Sequence, residues 1–182
     1  KFNLYSTNFV PEFLDKEFTI IVPDVRHQKA LAEKIATIWE EKLGLTVSVQ
    51  SMDPDGIRES IVPSRNFEVL LYGQQVGRDP DRYINWHSSQ IEYPGLNISG
   101  FNQVRADRAL EEGRKILDAE DRRVHYNDFQ VNIMEHVPVI FLYHPYVNYF
   151  VSHRVESELK GEVFYTWDRF ATFSTWNKRF LN

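Results

Sequence analysis

Residues 67–86 read FEVLLYGQQVGRDPDRYINW. The stretch opens on alternating apolar positions, Phe67, Val69 and Leu71, a period that predicts a strand. A polar loop carrying Gln74, Gln75 and Arg78 follows, and Asp79-Pro80-Asp81 then restarts the chain as a short aromatic helix expected over 80–87. An apolar strand that hands a polar loop to a helix N-terminus is a common way for an α/β domain to present a ligand surface.

The residues before this stretch fit that setting. Residues 17–22 (EFTIIV) are β-branched and apolar, as a buried strand requires. Pro23-Asp24 stops the strand, and Asp24 is placed to cap a helix over 26–43. That helix is expected to set Leu31, Ile35, Ile38 and Leu43 on one side, and Gly44 suits its end. Residues 45–52 (LTVSVQSM) alternate as a second strand. The sum is a strand–helix–strand unit with an expected right-handed crossover. A short helix is expected after Asp53-Pro54, with the third strand at 67–72.

Downstream, residues 88–102 form a Gly/Pro/Asn/Ser-rich connection to two helices, about 103–117 and 120–136. In the second, Tyr126, Phe129, Ile133 and Val137 recur at helical spacing. Residues 138–143 (PVIFLY) predict a strand buried on both faces, and 146–151 its returning neighbour. The expected division is an entry segment at 1–16, an α/β lobe at 17–152 and a return segment at 153–182 with a turn at Gly161. The fold class is α/β, with a mixed, mainly parallel sheet flanked by helices.

Composition narrows the function. The 182 residues carry a formal charge of −5, so no basic stripe is available to neutralise phosphates, and nucleic acid is excluded as a partner. Arg122-Arg123, the tightest basic pair, reads as a solvated helix face. No apolar run approaches the roughly 18–20 residues that span a bilayer. The absence of cysteine removes disulfides, thiolate catalysis and cysteine-bound zinc. The six histidines show no helical i, i+4 pair with a carboxylate motif, so no protein-built metal site and no cofactor is expected. No nucleophile elbow, phosphate-binding glycine loop or dinucleotide fingerprint occurs, which argues against an enzyme. Aromatic residues make up 14% of the chain, enough for a dense core or for a surface that stacks on a partner.

The order of motifs resembles the family 5 extracellular solute-binding proteins, the peptide- and nickel-type receptors of bacterial ABC importers. It runs through Lys42-Leu43-Gly44-Leu45-Thr46-Val47, then Asn66-Phe67-Glu68-Val69, then Asp79-Pro80-Asp81. Gly100-Phe101-Asn102 with Asp107 comes next, and Val137-Pro138-Val139-Ile140-Phe141-Leu142 closes the series. The resemblance covers residues 17–152 and implies one lobe of a periplasmic-binding-protein-like fold, the C-terminal-side lobe alone. Lys1-Phe2-Asn3 looks like the middle of a longer protein.

What the resemblance implies is capture of a small solute, such as an oligopeptide, by lobe closure. The implied partners are the missing second lobe and an ABC permease. The implied location is the periplasm or cell surface, with lipid anchoring through a preceding segment compatible with it. Ligand-facing residues would be Gln74, Gln75, Arg78, Trp86, Asn97, Phe101 and Asn102, with segments 74–78 and 97–102 converging on one sheet edge. One position departs from the pattern. Peptide-binding relatives carry an Asp four residues before the proline, where it pairs with the peptide's ammonium; here that position is Val76, which cannot hold a cation. The identity of the solute is therefore open. The alternative from another class is a protein-interaction or sensory module that uses an aromatic surface.

Overall fold

The computed structural model describes residues 16–146, 148–156 and 163–178. The expected entry segment, apart from Lys16, and the Gly161 turn lie outside them. The chain divides into two compact units. Among the described residues, the first takes those up to Gln74 together with Ser89–Ile98; the second takes Gln75–Ser88 and those from Ser99 on.

In the first unit, β1 (Glu17–Pro23) leads into α1 (Arg26–Leu43) and β2 (Thr46–Met52). β1 pairs in parallel with β2 along its whole length, Glu17 opposite Thr46 and Pro23 opposite Met52. On its other edge β1 pairs in parallel with β3 (Val69–Leu70), giving the order β2-β1-β3. A central strand covered on both faces must be apolar throughout, and Ile20, Ile21 and Val22 are all buried.

The helix α1 has the expected bounds, and Gly44 ends it in the left-handed region at φ 70°, its N–H donating to Glu40 O. Its buried stripe differs from the expected one. Ala32 and Ala36 are buried, with Ile35 and Trp39 packed beside them, while Ile38 and Leu43 are exposed. Small side chains at the contact let the helix backbone approach the sheet, so Ala32 and Ala36 mark the inner face, with the expected Ile35 beside them. Asp24 does not cap this helix; Val25 stands at the N-cap and Asp24 pairs with Lys29 at 3.0 Å.

Asp53 caps the next helical run by accepting from the N–H groups of Asp55 (3.0 Å) and Gly56 (3.3 Å). The run passes through α2 (Pro54–Gly56), one wide turn at Ile57–Ile61 and α3 (Val62–Ser64). Ile57 and Val62 bury themselves against the opposite face of the sheet from α1, with Ile21. The first unit therefore has helices on both faces of a parallel sheet.

In the second unit, α4 (Tyr83–Trp86) precedes α5 (Val104–Gly113) and α6 (Ala119–His136). Asp118 caps α6 through the N–H groups of Glu120 and Asp121. The core here is Phe101, Ala106, Ala109, Leu110, Tyr126, Phe129 and Ile133, with Tyr83 and Trp86 against it. Val137 is not part of it: it forms the left-handed end of α6 at φ 46° and is exposed.

Residues 138–143 and the described residues of 146–151 are not strands, contrary to expectation. Ile140, Phe141 and Tyr143 are exposed, Tyr146 is 98% exposed, and no described strand pairs with either stretch. An apolar run becomes a strand only when a neighbour takes its backbone donors and acceptors, and none does so among the described residues. Near the C-terminus, β4 (Val155–Glu156) and β5 (Asn177–Lys178) form a small antiparallel pair. With the parallel sheet, this gives the mixed α/β character expected.

Candidate ligand-binding loops

In the first unit, the chain leaves β3 with Leu71 N–H donating to Ile21 O at 2.9 Å. Leu71 thus still lies along the sheet, and Gln74 follows three residues later. Gln74 Nε2 donates to Leu96 O at 3.4 Å, which puts it beside Asn97. Asn97 is fully buried, and its N–H donates to Gln90 O at 3.0 Å. Arg65 holds the same segment from the other side. Its guanidinium donates to Ile91 O (3.1 Å), Gly95 O (2.7 Å) and Val62 O. Gln74 and Asn97 are therefore neighbours on a connection tied at several backbone carbonyls.

The second unit carries Gln75, Arg78, Trp86, Phe101 and Asn102. Gln75 and Asn102 are exposed. Arg78 meets residues of the C-terminal segment: Asp168 Oδ2 lies 3.0 Å from its guanidinium, which also sits 5.4 Å from the centre of the Phe164 ring. Asp168 accepts as well from the N–H groups of Phe164 and Tyr165. The Tyr165 N–H is the first cause, with Phe164 and Arg78 adding to it, of a carboxyl held below its ordinary 3.8.

Trp86 packs edge-on to Phe101 (6.3 Å between ring centres) and Phe129 (6.2 Å), and tilts against Phe141. Phe101 is buried in that core, so packing is its first role.

Three guanidiniums arrest the loop between Arg78 and α4. Arg82 donates to the carbonyl oxygens of Asp79 (2.6 Å), Asp81 (3.1 Å) and Gly77 (3.3 Å). Arg114 pairs with Asp81 at 3.1 Å and lies over the Tyr83 ring. Arg122 reaches from α6 to grip both carboxylate oxygens of Asp79, at 2.8 and 3.2 Å. It also donates to Tyr126 Oη (2.8 Å) and Gly113 O (3.2 Å).

The Asp79 and Tyr126 hydrogen bonds push the Arg122 guanidinium further above its ordinary range, and Arg122 in turn holds the Asp79 carboxyl below 3.8. Arg122 is not a solvated face residue. Its side chain is 16% exposed, whereas Arg123 is open to solvent and pairs with Glu120. Spacing alone gave one hint of this, since Tyr126 stands at i+4 from Arg122 on the same helix.

Among the described residues, no cluster of His, Asp or Glu could hold a metal ion, and no helix is long and apolar enough to cross a membrane. The candidate positions offer amides, one paired guanidinium and aromatic faces, on loops held by hydrogen bonds and ion pairs.

The oligopeptide-binding protein AppA of Bacillus subtilis (strain 168) is 30% identical over 117 residues, which are 62% of this chain and 21% of AppA. The structure of AppA from Bacillus subtilis in complex with a nonapeptide superimposes at a TM-score of 0.59, 26% identical, over 67% of this chain and 24% of that one. The resemblance to the family 5 solute-binding proteins holds. This chain has the fold of a fragment of those receptors and spans between a fifth and a quarter of the length of the relatives it matches. The fold is shared at a TM-score of 0.58 by NikZ from Campylobacter jejuni in complex with Ni(L-His), 23% identical over 67% of this chain and 25% of that one. No protein-family model matches the chain.

Proposed function

We propose that the chain is one lobe of an extracytoplasmic solute-binding protein that captures an oligopeptide or other small solute and delivers it to the permease of an ABC importer. The observation that supports this most is the joint match to AppA, in sequence over 117 residues and in fold at a TM-score of 0.59. The part played by these residues is binding, not catalysis. Within the first unit Gln74 would face the ligand with buried Asn97 behind it; within the second, Gln75, Arg78, Trp86 and Asn102 would do so with buried Phe101 behind them; a second lobe would supply the opposing contacts. Ligand bound between them stabilises the closed arrangement, and the permease reads that closure. Val76 is half-buried and offers no charge, so a peptide's ammonium group must be met elsewhere.

Titration calorimetry of the 182-residue chain with a mixed-sequence nonapeptide tests the closure mechanism. With half the contacts absent, weak binding is expected. Micromolar affinity for the chain alone would contradict a two-jaw mechanism.

A second reading has one observation in its favour. Ile140, Phe141, Tyr146 and Phe150 are exposed along a single stretch, as an aromatic interaction surface would require. Concentration-dependent dimerisation of the chain would favour it.

A further inference from the structure

We infer that Arg122 is the positioning residue for the loop that carries Gln75 and Arg78, locking residues 77–82 onto the helix pair α5–α6. The inference rests on the proposed reading of that loop as ligand-facing.

The loop has little regular structure of its own. Between Gly77 and α4 it forms no strand, and α4 is a single turn. Its shape must come from side chains. Arg82 gathers three carbonyl oxygens of the loop itself, at Gly77, Asp79 and Asp81, which makes the loop internally compact without fixing it to anything outside. Two ion pairs carry it to the helices. Arg114, just past the end of α5, takes Asp81; Arg122, on α6, takes Asp79.

These two anchors are unequal. Arg114 makes a single contact to Asp81 from a half-exposed side chain. Arg122 is bidentate to Asp79, largely enclosed, and pinned from behind by Tyr126 Oη and by Gly113 O at the end of α5. A guanidinium whose donors are already committed on the helix side presents its remaining fork in one orientation. Asp79 is the next residue after Arg78, so fixing Asp79 fixes where the Arg78 backbone starts. The fork therefore fixes the backbone beside Arg78, whose guanidinium then meets Asp168 at 3.0 Å.

Hydrogen exchange by mass spectrometry on the 182-residue chain tests this without any ligand. In Arg122→Gln, the Asp81 amide, whose N–H donates to Asp79 Oδ1 at 2.8 Å, should exchange at least about tenfold faster, as loss of the charge-assisted fork on Asp79 implies. Amides of α5 and α6 should keep their protection. Arg122→Lys, which keeps the charge but not the fork, should show most of the same loosening. Asp79→Arg combined with Arg122→Asp should recover part of the protection. Unchanged exchange at 77–82 in Arg122→Gln would overturn the inference. So would an equal rise across α5 and α6, which would make Arg122 an ordinary packing residue. Titration of the same variants with the nonapeptide separates the two ideas. A loop that loosens in a protein that binds no peptide counts against the binding role and leaves the positioning role standing.

Discussion

Arg65 and Gly95 are joined by a 2.7 Å hydrogen bond from guanidinium to carbonyl oxygen, and this contact closes the first unit around its connection. Arg65 ends α3 in the left-handed region at φ 54°. From there its side chain reaches 30 residues along the sequence, taking Ile91 O as well.

Arg65→Ala should therefore lower the stability of the chain by about 2 kcal/mol, because it strands carbonyl groups that a charged donor now satisfies. Urea denaturation followed by tryptophan fluorescence checks this. Arg65→Lys keeps a charge but cannot span the same carbonyls, so it should recover only part of the loss.

Gly95 is constrained by space. A Cβ there would stand 2.2 Å from Gln90 O and 2.5 Å from Gln90 C, both backbone atoms that cannot rotate away. Gly95→Ala should cost about 3 kcal/mol or more. Gly77→Ala makes a useful contrast. Its Cβ would meet side-chain atoms of Tyr165, Oη at 2.8 Å, and no backbone, so a small tilt of the ring, which stacks on Trp167, relieves the contact. A loss under about 1 kcal/mol is expected there. Thermal melts of the two variants should fall in that order.

Asp79 gives the second unit a defined response to acid. Its carboxyl lies below the ordinary 3.8, first through the Arg122 hydrogen bond and then through the Asp81 N–H, with Arg82 adding to it. A carboxyl lowered on folding contributes stability above its unfolded value and loses it as pH falls through the folded one. The urea midpoints of the wild type and Asp79→Asn should thus differ by a constant amount from neutrality down to about pH 5, and the difference should shrink as pH falls below 3.8. A gap that stays undiminished as pH falls well below 3.8 would show that charge on Asp79 is not what Arg122 holds.

Local signals carried most of the fold. α1 starts and stops as expected because a helical period meets a glycine in the left-handed region at Gly44. β1 and β2 are legible because a β-branched apolar run and an alternating run flank that helix. What escaped depends on contacts distant in sequence. The inner face of α1 belongs to Ala32 and Ala36, which carry too little apolar weight for periodicity to notice. Residues 138–143 show an apolar run's need for burial, but which strand would meet that need is a tertiary fact. Arg122 looked solvated beside Arg123 because its partner, Asp79, is 43 positions away. Of the candidate site residues, the loop positions were readable from the break after β3. The burial of Phe101 and Asn97 was not, since both sit in segments without a period.

The most direct test of the account is amide NMR of the isotope-labelled chain titrated with a mixed-sequence nonapeptide to millimolar concentration. The account predicts small, saturable shifts confined to Gln74, Gln75, Arg78, Trp86, Asn97, Phe101, Asn102 and their immediate neighbours. Shifts that spare these residues and gather instead along 140–150, or no shift anywhere, would contradict it.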